Sequence, residues 1–207
     1  MRIKKLKTGF EKLSKDKARI IAHCIGDGCV YKSKHDYNIK YEVIDSELLD
    51  MFEKDMLKVY GLKLTKVHNP SGKTGKLVPY IRLRSKLVYE DLMNYATFTS
   101  QNWKIKGKVL NSDIEIKKEF LKALFDDEGS IFRVHNRVVL RVYSINLNGL
   151  KQIEKMLSEF DIFGKIYSGY GFRRNVYAIV IKDPKLFSEK IGFNLKRKQQ
   201  KLKNFLS

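Results

Sequence analysis

Two carboxylates stand where helices do not favour them. Asp27 closes the run Ile20-Ile21-Ala22-His23-Cys24-Ile25-Gly26 and precedes Gly28, while Glu128 closes Leu121-Lys122-Ala123-Leu124-Phe125-Asp126-Asp127 and precedes Gly129. Each run is apolar enough to form a buried helix. Each acid then falls in the last turn, at the negative end of the macrodipole. If the two helices pack side by side and parallel, Asp27 and Glu128 meet at one seam. There they repel and hold on to protons unless a cation separates them. Hard cations with oxygen ligands, Mg²⁺ first and Mn²⁺ after it, suit that setting. A glycine after an acid is by itself only a helix stop, because glycine is favoured past a C-terminus. Two acid-glycine endings on two apolar helices argue for more.

The elements that would position these acids repeat along the chain. Asp27 and Glu128 lie 101 residues apart, and at that same offset Asn38-Ile39-Lys40-Tyr41 falls on Val139-Leu140-Arg141-Val142. Both stretches alternate apolar and basic residues as strands do. Ser46 to Tyr60 and Leu147 to Phe160 both read as amphipathic helices, with Glu53-Lys54 over Glu154-Lys155. Tyr80–Arg84 resembles Tyr177–Ile181 at an offset of 97, and Lys86-Leu87 and Lys185-Leu186 open a further helix in each copy. The acid-bearing helices should span 15–27 and 115–128. On their faces Ala22 and Gly26 match Ala123 and Asp127, and the small members allow close approach. A tandem repeat of this length predicts two pseudo-symmetric halves, 1–108 and 109–207, joined near Lys106 to Asp113. The segments 70–79 and 168–175 are turn-rich loops within them.

Bulk properties narrow the partner. Lys and Arg number 42 against 23 Asp and Glu, a formal net charge of +19. The excess is spread over both halves, 20 against 12 in residues 1–100 and 22 against 11 in 101–207, so it is no basic tail. A folded surface of that balance attracts a polyanion, usually nucleic acid. No apolar run is long enough for a membrane span, and no signal-peptide core follows the basic start. Cys24 and Cys29 read as buried thiols of a reducing cytosol rather than a disulfide framework or a zinc site. A cytoplasmic, nucleoid-associated protein is the expectation.

The paired segments resemble the LAGLIDADG motif of homing endonucleases. Phe120-Leu121-Lys122-Ala123-Leu124-Phe125-Asp126-Asp127-Glu128-Gly129-Ser130-Ile131 is a close match. The first copy is looser. His23 and Cys24 replace the usual apolar pair and Ile25 replaces the motif's first acid, but the Gly-Asp-Gly ending is kept. Ser144-Ile145-Asn146 to Ile162 and the terminal Lys196-Arg197-Lys198-Gln199-Gln200-Lys201-Leu202 also resemble the family, so the likeness covers roughly residues 10 to 205.

The resemblance implies an α+β fold of two αββαββα halves. The motif helices form the interface, and the antiparallel sheets make a saddle over double-stranded DNA. It implies a monomer with a long, roughly asymmetric recognition site. Asp27 and Glu128 are then the metal-binding acids, with main-chain oxygens of Gly26 and Asp127 beside them. The reaction is hydrolysis of one phosphodiester in each strand, in which metal ions activate water and stabilise the leaving oxygen. Lys40 and Arg141, at matched offsets, are candidates for stabilising charge on the phosphate or for contacting the groove. Lys104 and Lys198 are weaker candidates. Lys32, Lys34, Arg82, Arg84, Arg133, Arg137, Arg173 and Arg174 are candidate DNA contacts by their alternation with apolar residues. His23 reads as a hydrogen-bonded core histidine, Trp103 as packing, and Asp126 as a cap. The alternatives are an RNA maturase acting on an intron and a DNA-binding protein that has lost cleavage. Met1 at the start and Phe205-Leu206-Ser207 at the end do not suit an intein, so an intron-encoded or free-standing protein is expected.

Overall fold

The repeat becomes two copies of one topology. The structure, a computed structural model, describes residues 6–34, 36–70, 77–169 and 175–207. The first half runs α1 (Lys15–Ile25), β1 (Gly28–Lys32), β2 (Tyr37–Glu42), α2 (Ser46–Tyr60), β3 (Lys66–Pro70), β4 (Leu77–Arg84) and α3 (Lys86–Met93). A short ribbon, β5 (Ala96–Thr97) with β6 (Lys104–Ile105), and α4 (Gly107–Leu110) follow. The second half runs α5 (Ile114–Glu128), β7 (Gly129–Val134), β8 (Arg137–Ser144), α6 (Leu147–Ser158), β9 (Gly164–Ser168), β10 (Tyr177–Ile181), α7 (Pro184–Lys190) and α8 (Lys196–Leu206). The sheets have matching orders, β1-β2-β4-β3 and β7-β8-β10-β9, and every pairing is antiparallel. This is the expected αββαββα repeat. No described helix is long and apolar enough to cross a membrane.

Local chemistry explains where these elements begin. The Ser14 hydroxyl accepts from Lys17 N (3.2 Å), Ser85 from Val88 N (3.3 Å), Asn146 Oδ1 from Gly149 N (3.0 Å) and Asp183 from Leu186 N (2.9 Å). Each side chain thus satisfies an N–H that has no partner within its helix. Several boundaries differ from the expectation: β4 already begins at Leu77, inside the loop expected over 70–79, and α6 ends at Ser158 rather than Phe160. α1 stops at Ile25, so Asp27 lies just past the helix rather than in its last turn. The final helical bond is Gly26 N–H to Ala22 O (2.9 Å). The chain then reverses directly into β1.

The core forms between the helices and one face of each sheet. Ile39, Tyr41 and Ile81 in one half and Ile131, Leu140, Val142 and Ile179 in the other are buried, and they join one continuous cluster with α1, α2, α5 and α6.

The end of each half docks on the other half. The Trp103 ring lies so close to Gly149 of α6 that a Cβ there would sit 2.3 Å from it. The Gln152 side chain bonds both the N–H and the carbonyl of Ile105 at 2.9 Å. In return, Arg197 of α8 donates to both oxygens of Asp45, the residue just before α2. The expected boundary at 108 therefore divides the topology, while packing crosses it in both directions.

Candidate functional site

The site is built on the seam between α1 and α5. Lys15 meets Glu115 (2.9 Å), Arg19 meets Glu119 (2.6 Å), and His23 meets Asp127 (3.0 Å). Contacts that advance together along both chains mean parallel helices, so their C-terminal ends lie together. Ala22 and Ala123 are both fully buried. The expected small-residue match at Gly26 and Asp127 takes another form. A Cβ on Gly26 would lie 2.6 Å from Asp127 Oδ2, so Gly26 is small because an aspartate fills the space beside it.

The side chain of that aspartate is wholly buried and doubly held. The Tyr41 hydroxyl donates to it at 2.7 Å, and His23 Nδ1 lies 3.0 and 3.1 Å from its two oxygens. A carboxylate is acceptor-only, so Nδ1 carries the proton. Burial opposes a charge on His23, but the Asp127 carboxylate outweighs it and the net shift is upward. Among the described residues His23 Nε2 has no hydrogen-bond partner. His23 is thus the hydrogen-bonded core histidine expected. Its partner was not foreseen.

Asp27 is exposed at the mouth of the seam, and Glu128 is half-buried. Neither has an ion-pair partner among the described residues. Partial dehydration by the surrounding protein and the Asp127 charge push Asp27 up to about 6. Dehydration, Asp27 and Asp127 push Glu128 up to about 7. Lys198 opposes both shifts. Two acids that disfavour each other's ionisation fit a hard divalent cation between them. Among the described residues no three His, Cys, Asp or Glu side chains converge as a ready-made cage. A cation held there would take Asp27 and Glu128 together with oxygens of another kind, such as the helix-end carbonyls of Gly26 and Asp127 or those of a substrate.

The glycines after the acids serve close approach. Gly129 has φ −75°, an ordinary value, so left-handed backbone is not the reason for it. A Cβ on Gly129 would lie 2.2 Å from Phe125 O, and one on Gly28 would lie 2.7 Å from both Cys24 Cα and His23 O. In each half the first strand leaves the helix by folding back over its last turn. Lys198 completes that turn in the second half. Its buried ammonium donates to the carbonyls of Asp126 (2.5 Å), Gly129 (2.7 Å) and Phe125 (3.2 Å). A cation at the C-terminal end of α5 offsets the dipole that disfavours an acid there. Asp126, expected as a cap, accepts from Leu195 N (3.0 Å) and Asn194 N (3.2 Å) and ties α5 to the start of α8. Ile25 stands in its place in the first copy.

Strand register sorts the basic candidates. Gly28, Tyr41 and Ile81 form a core-facing row, and so do Val30, Ile39 and Leu83; the row between them is Cys29, Lys40 and Arg82. Lys40, Arg82 and Arg84 therefore share the outer face. Lys40 pairs with Glu42 and lies 4.8 Å from the Tyr80 ring, and Arg82 donates twice to the Asn38 oxygen (2.7 and 3.0 Å). In the second half Ser130, Arg141, Val180 and Lys165 form the equivalent row. Lys40 lies opposite Cys29 and Arg141 opposite Ser130, each two positions past its acid. Lys34 lies in the exposed turn after β1, and Arg137 is exposed at the start of β8.

Two candidates take the other face. Lys32 lies opposite Tyr37 in the core-facing phase, 5.3 Å from that ring. Arg133 donates to the Phe205 carbonyl (2.7 Å) and stacks on the Phe205 ring, so it fastens α8. Both sit two residues after a core strand residue, Val30 and Ile131, and a period-two count places them inward. Lys104 is exposed on β6. Cys24 is buried and Cys29 is half-buried on the outer face. Arg173 and Arg174 lie outside the described residues.

Residues 115–192 match the LAGLIDADG-like domain family, and the match contains Glu128. The chain is 25% identical to MJ0398, an uncharacterized protein of Methanocaldococcus jannaschii, over 205 residues covering 90% of this chain and 70% of that one. Its structure is similar to the homing endonuclease I-DmoI, with a TM-score of 0.65 at 19% identity over 86% of this chain and 96% of that one. It is also similar to the homing endonuclease I-WcaI, with a TM-score of 0.66 at 16% identity over 91% and 87%. The paired motifs, the doubled αββαββα topology and these likenesses identify a chain with the fold of the LAGLIDADG homing endonucleases, whose residues 115–192 match the LAGLIDADG-like domain family.

Proposed function

We propose that this protein is a site-specific endonuclease that hydrolyses one phosphodiester in each strand of double-stranded DNA. The observation that carries the proposal is the placement of Asp27 and Glu128 at adjoining ends of parallel helices, between two sheets that carry Lys40 and Arg141 at matched positions. I-DmoI has been seen in complex with DNA and Ca and with DNA and Mn, and I-WcaI bound to its DNA recognition sequence. A divalent cation, Mg²⁺ or Mn²⁺, bound by Asp27 and Glu128 supplies water activation and charge stabilisation on the leaving oxygen. The chain's own groups do the rest. Lys40, Arg82, Arg84 and Arg141 attract and orient the phosphate backbone. Lys198 holds the last turn of α5 and with it the Glu128 main chain. The protein acts as a monomer, with both acids supplied by one chain.

Binding of intron RNA on the same scaffold is the second reading. The aromatic side chains on the outer face of the second sheet favour it, because unpaired bases stack on such rings. A cleavage assay with Mg²⁺ on a duplex library separates the two, with Asp27→Asn/Glu128→Gln as control. Metal-dependent cuts made only by the native chain establish the endonuclease. Tight RNA binding without cleavage of any duplex overturns it.

A further inference from the structure

The outer faces of the two sheets differ in chemistry. On the first sheet that face carries Asn38, Lys40, Glu42, Arg82 and Arg84, groups that donate or accept hydrogen bonds, with the rings of Tyr31 and Tyr80 among them. On the second sheet the positions matching Asn38, Glu42 and Arg82 carry Val139, Tyr143 and Val180, beside Phe132, Tyr167 and Ala178, while Arg141 matches Lys40. Ala178 is fully buried yet lies outside the main hydrophobic cluster, because it forms the floor between its register partners Tyr143 and Tyr167. Two cations on this face lie over its rings. The Arg141 guanidinium is 4.3 Å from the Phe132 ring and 4.6 Å from the Tyr143 ring, and the Lys165 ammonium is 5.2 Å from the Tyr167 ring.

An apolar face interleaved with cations suits a ligand that is anionic at its edges and presents small apolar groups between them. The major groove of an A·T-rich duplex is such a ligand. Thymine projects its 5-methyl group there, and alanine, phenylalanine and other apolar side chains contact it. The first sheet, whose Lys40, Arg82 and Arg84 are held by Glu42, Asn38 and Asp36 and can exchange those partners for guanine edges, suits a different sequence. Continuity with that sheet, and a net charge of +19, favour nucleic acid over an apolar protein surface as the occupant.

We infer that the second sheet recognises its half of the target through thymine methyl groups, while the first sheet reads its half by hydrogen bonds to base edges. The inference rests on the duplex-DNA reading above and adds the base class that each half selects.

The test uses the full chain and duplexes selected by it from a randomised pool. Thymines are then replaced by uracil, one half-site at a time, which removes only the methyl group. In one half-site each replacement is expected to weaken binding by about three- to fourfold, the value of one buried methyl group. In the other half-site it leaves affinity within about twofold. Val139→Asn/Val180→Asn should abolish the uracil penalty and alter base preference only in the thymine-rich half. Arg82→Ala should alter preference only in the other. An equal uracil penalty in both halves, or none in either, overturns the inference while the DNA reading stands. The uracil series on the native chain decides this even if a variant fails to fold. A pool that yields no bound duplex, or tight binding of RNA instead, overturns both.

Discussion

His23 on α1 lies 3.0 Å from Asp127 on α5, both side chains wholly buried, so an ion pair spans the seam beside Gly26. Removing one partner leaves the other charged, buried and unmatched. His23→Ala should therefore destabilise the protein by about 3–5 kcal/mol. His23→Leu/Asp127→Ala removes both charges and leaves an apolar pair, and most of that loss should return. Urea denaturation of His23→Leu, Asp127→Ala and the double variant measures the coupling. Additive losses would show that the two side chains do not act as a pair.

The carboxylates at the mouth of the seam predict a thermal response to metal. Without divalent cations Asp27→Asn/Glu128→Gln should melt higher than the native chain, because Asp27 and Glu128 disfavour each other's charge. Millimolar Mg²⁺ should raise the native melting temperature by mass action and leave the double variant unmoved. Differential scanning calorimetry reads both effects, and an equal Mg²⁺ response in the two proteins would place the cation elsewhere.

Gly129 tests close approach directly. Its Cβ would meet Phe125 O at 2.2 Å, and no flexible side chain can give way. Gly129→Ala should destabilise the fold by about 2–3 kcal/mol through this overpacking. It should also displace Glu128 and lower cleavage more than DNA affinity. A variant with native stability and activity would show that β7 can lift off the helix end freely.

Acid should weaken the α1–α2–α5 junction. Arg19 donates to Asp55 (2.8 and 2.7 Å), Glu119 (2.6 Å) and Asp16 (2.6 Å). Burial raises Asp16 and Glu119, but Lys58 and Arg19 at Asp16, and Arg19 and Lys122 at Glu119, outweigh it and hold both below their ordinary values of 3.8 and 4.5. A carboxyl depressed by folding stabilises the protein above its unfolded pKa. That contribution is lost as pH falls through the folded value. Asp55, raised by burial, runs the other way. The net expectation is stability falling below about pH 4.5, with a shallower acid slope in Arg19→Gln. Chemical denaturation across pH 3 to 6 checks the slope.

The repeat, its elements and the two acids were legible in the sequence because each rests on local chemistry. Period-two and period-3.6 patterns, capping residues such as Ser14 and Asp183, and the acid-glycine endings act over a few positions. Local patterning also held the phase that assigns Lys32 and Arg133 to the helix side, through Val30 and Ile131 two residues earlier. What the tertiary structure alone decided are contacts between residues distant in the chain. The pairing of His23 with Asp127, the three carbonyls on Lys198, Asp45 under Arg197 and Trp103 against Gly149 join segments between 46 and 152 residues apart. Such contacts depend on which faces the packed halves present to each other. No period in the chain encodes that, because burial and electrostatics select it only once both helices and both sheets are in place.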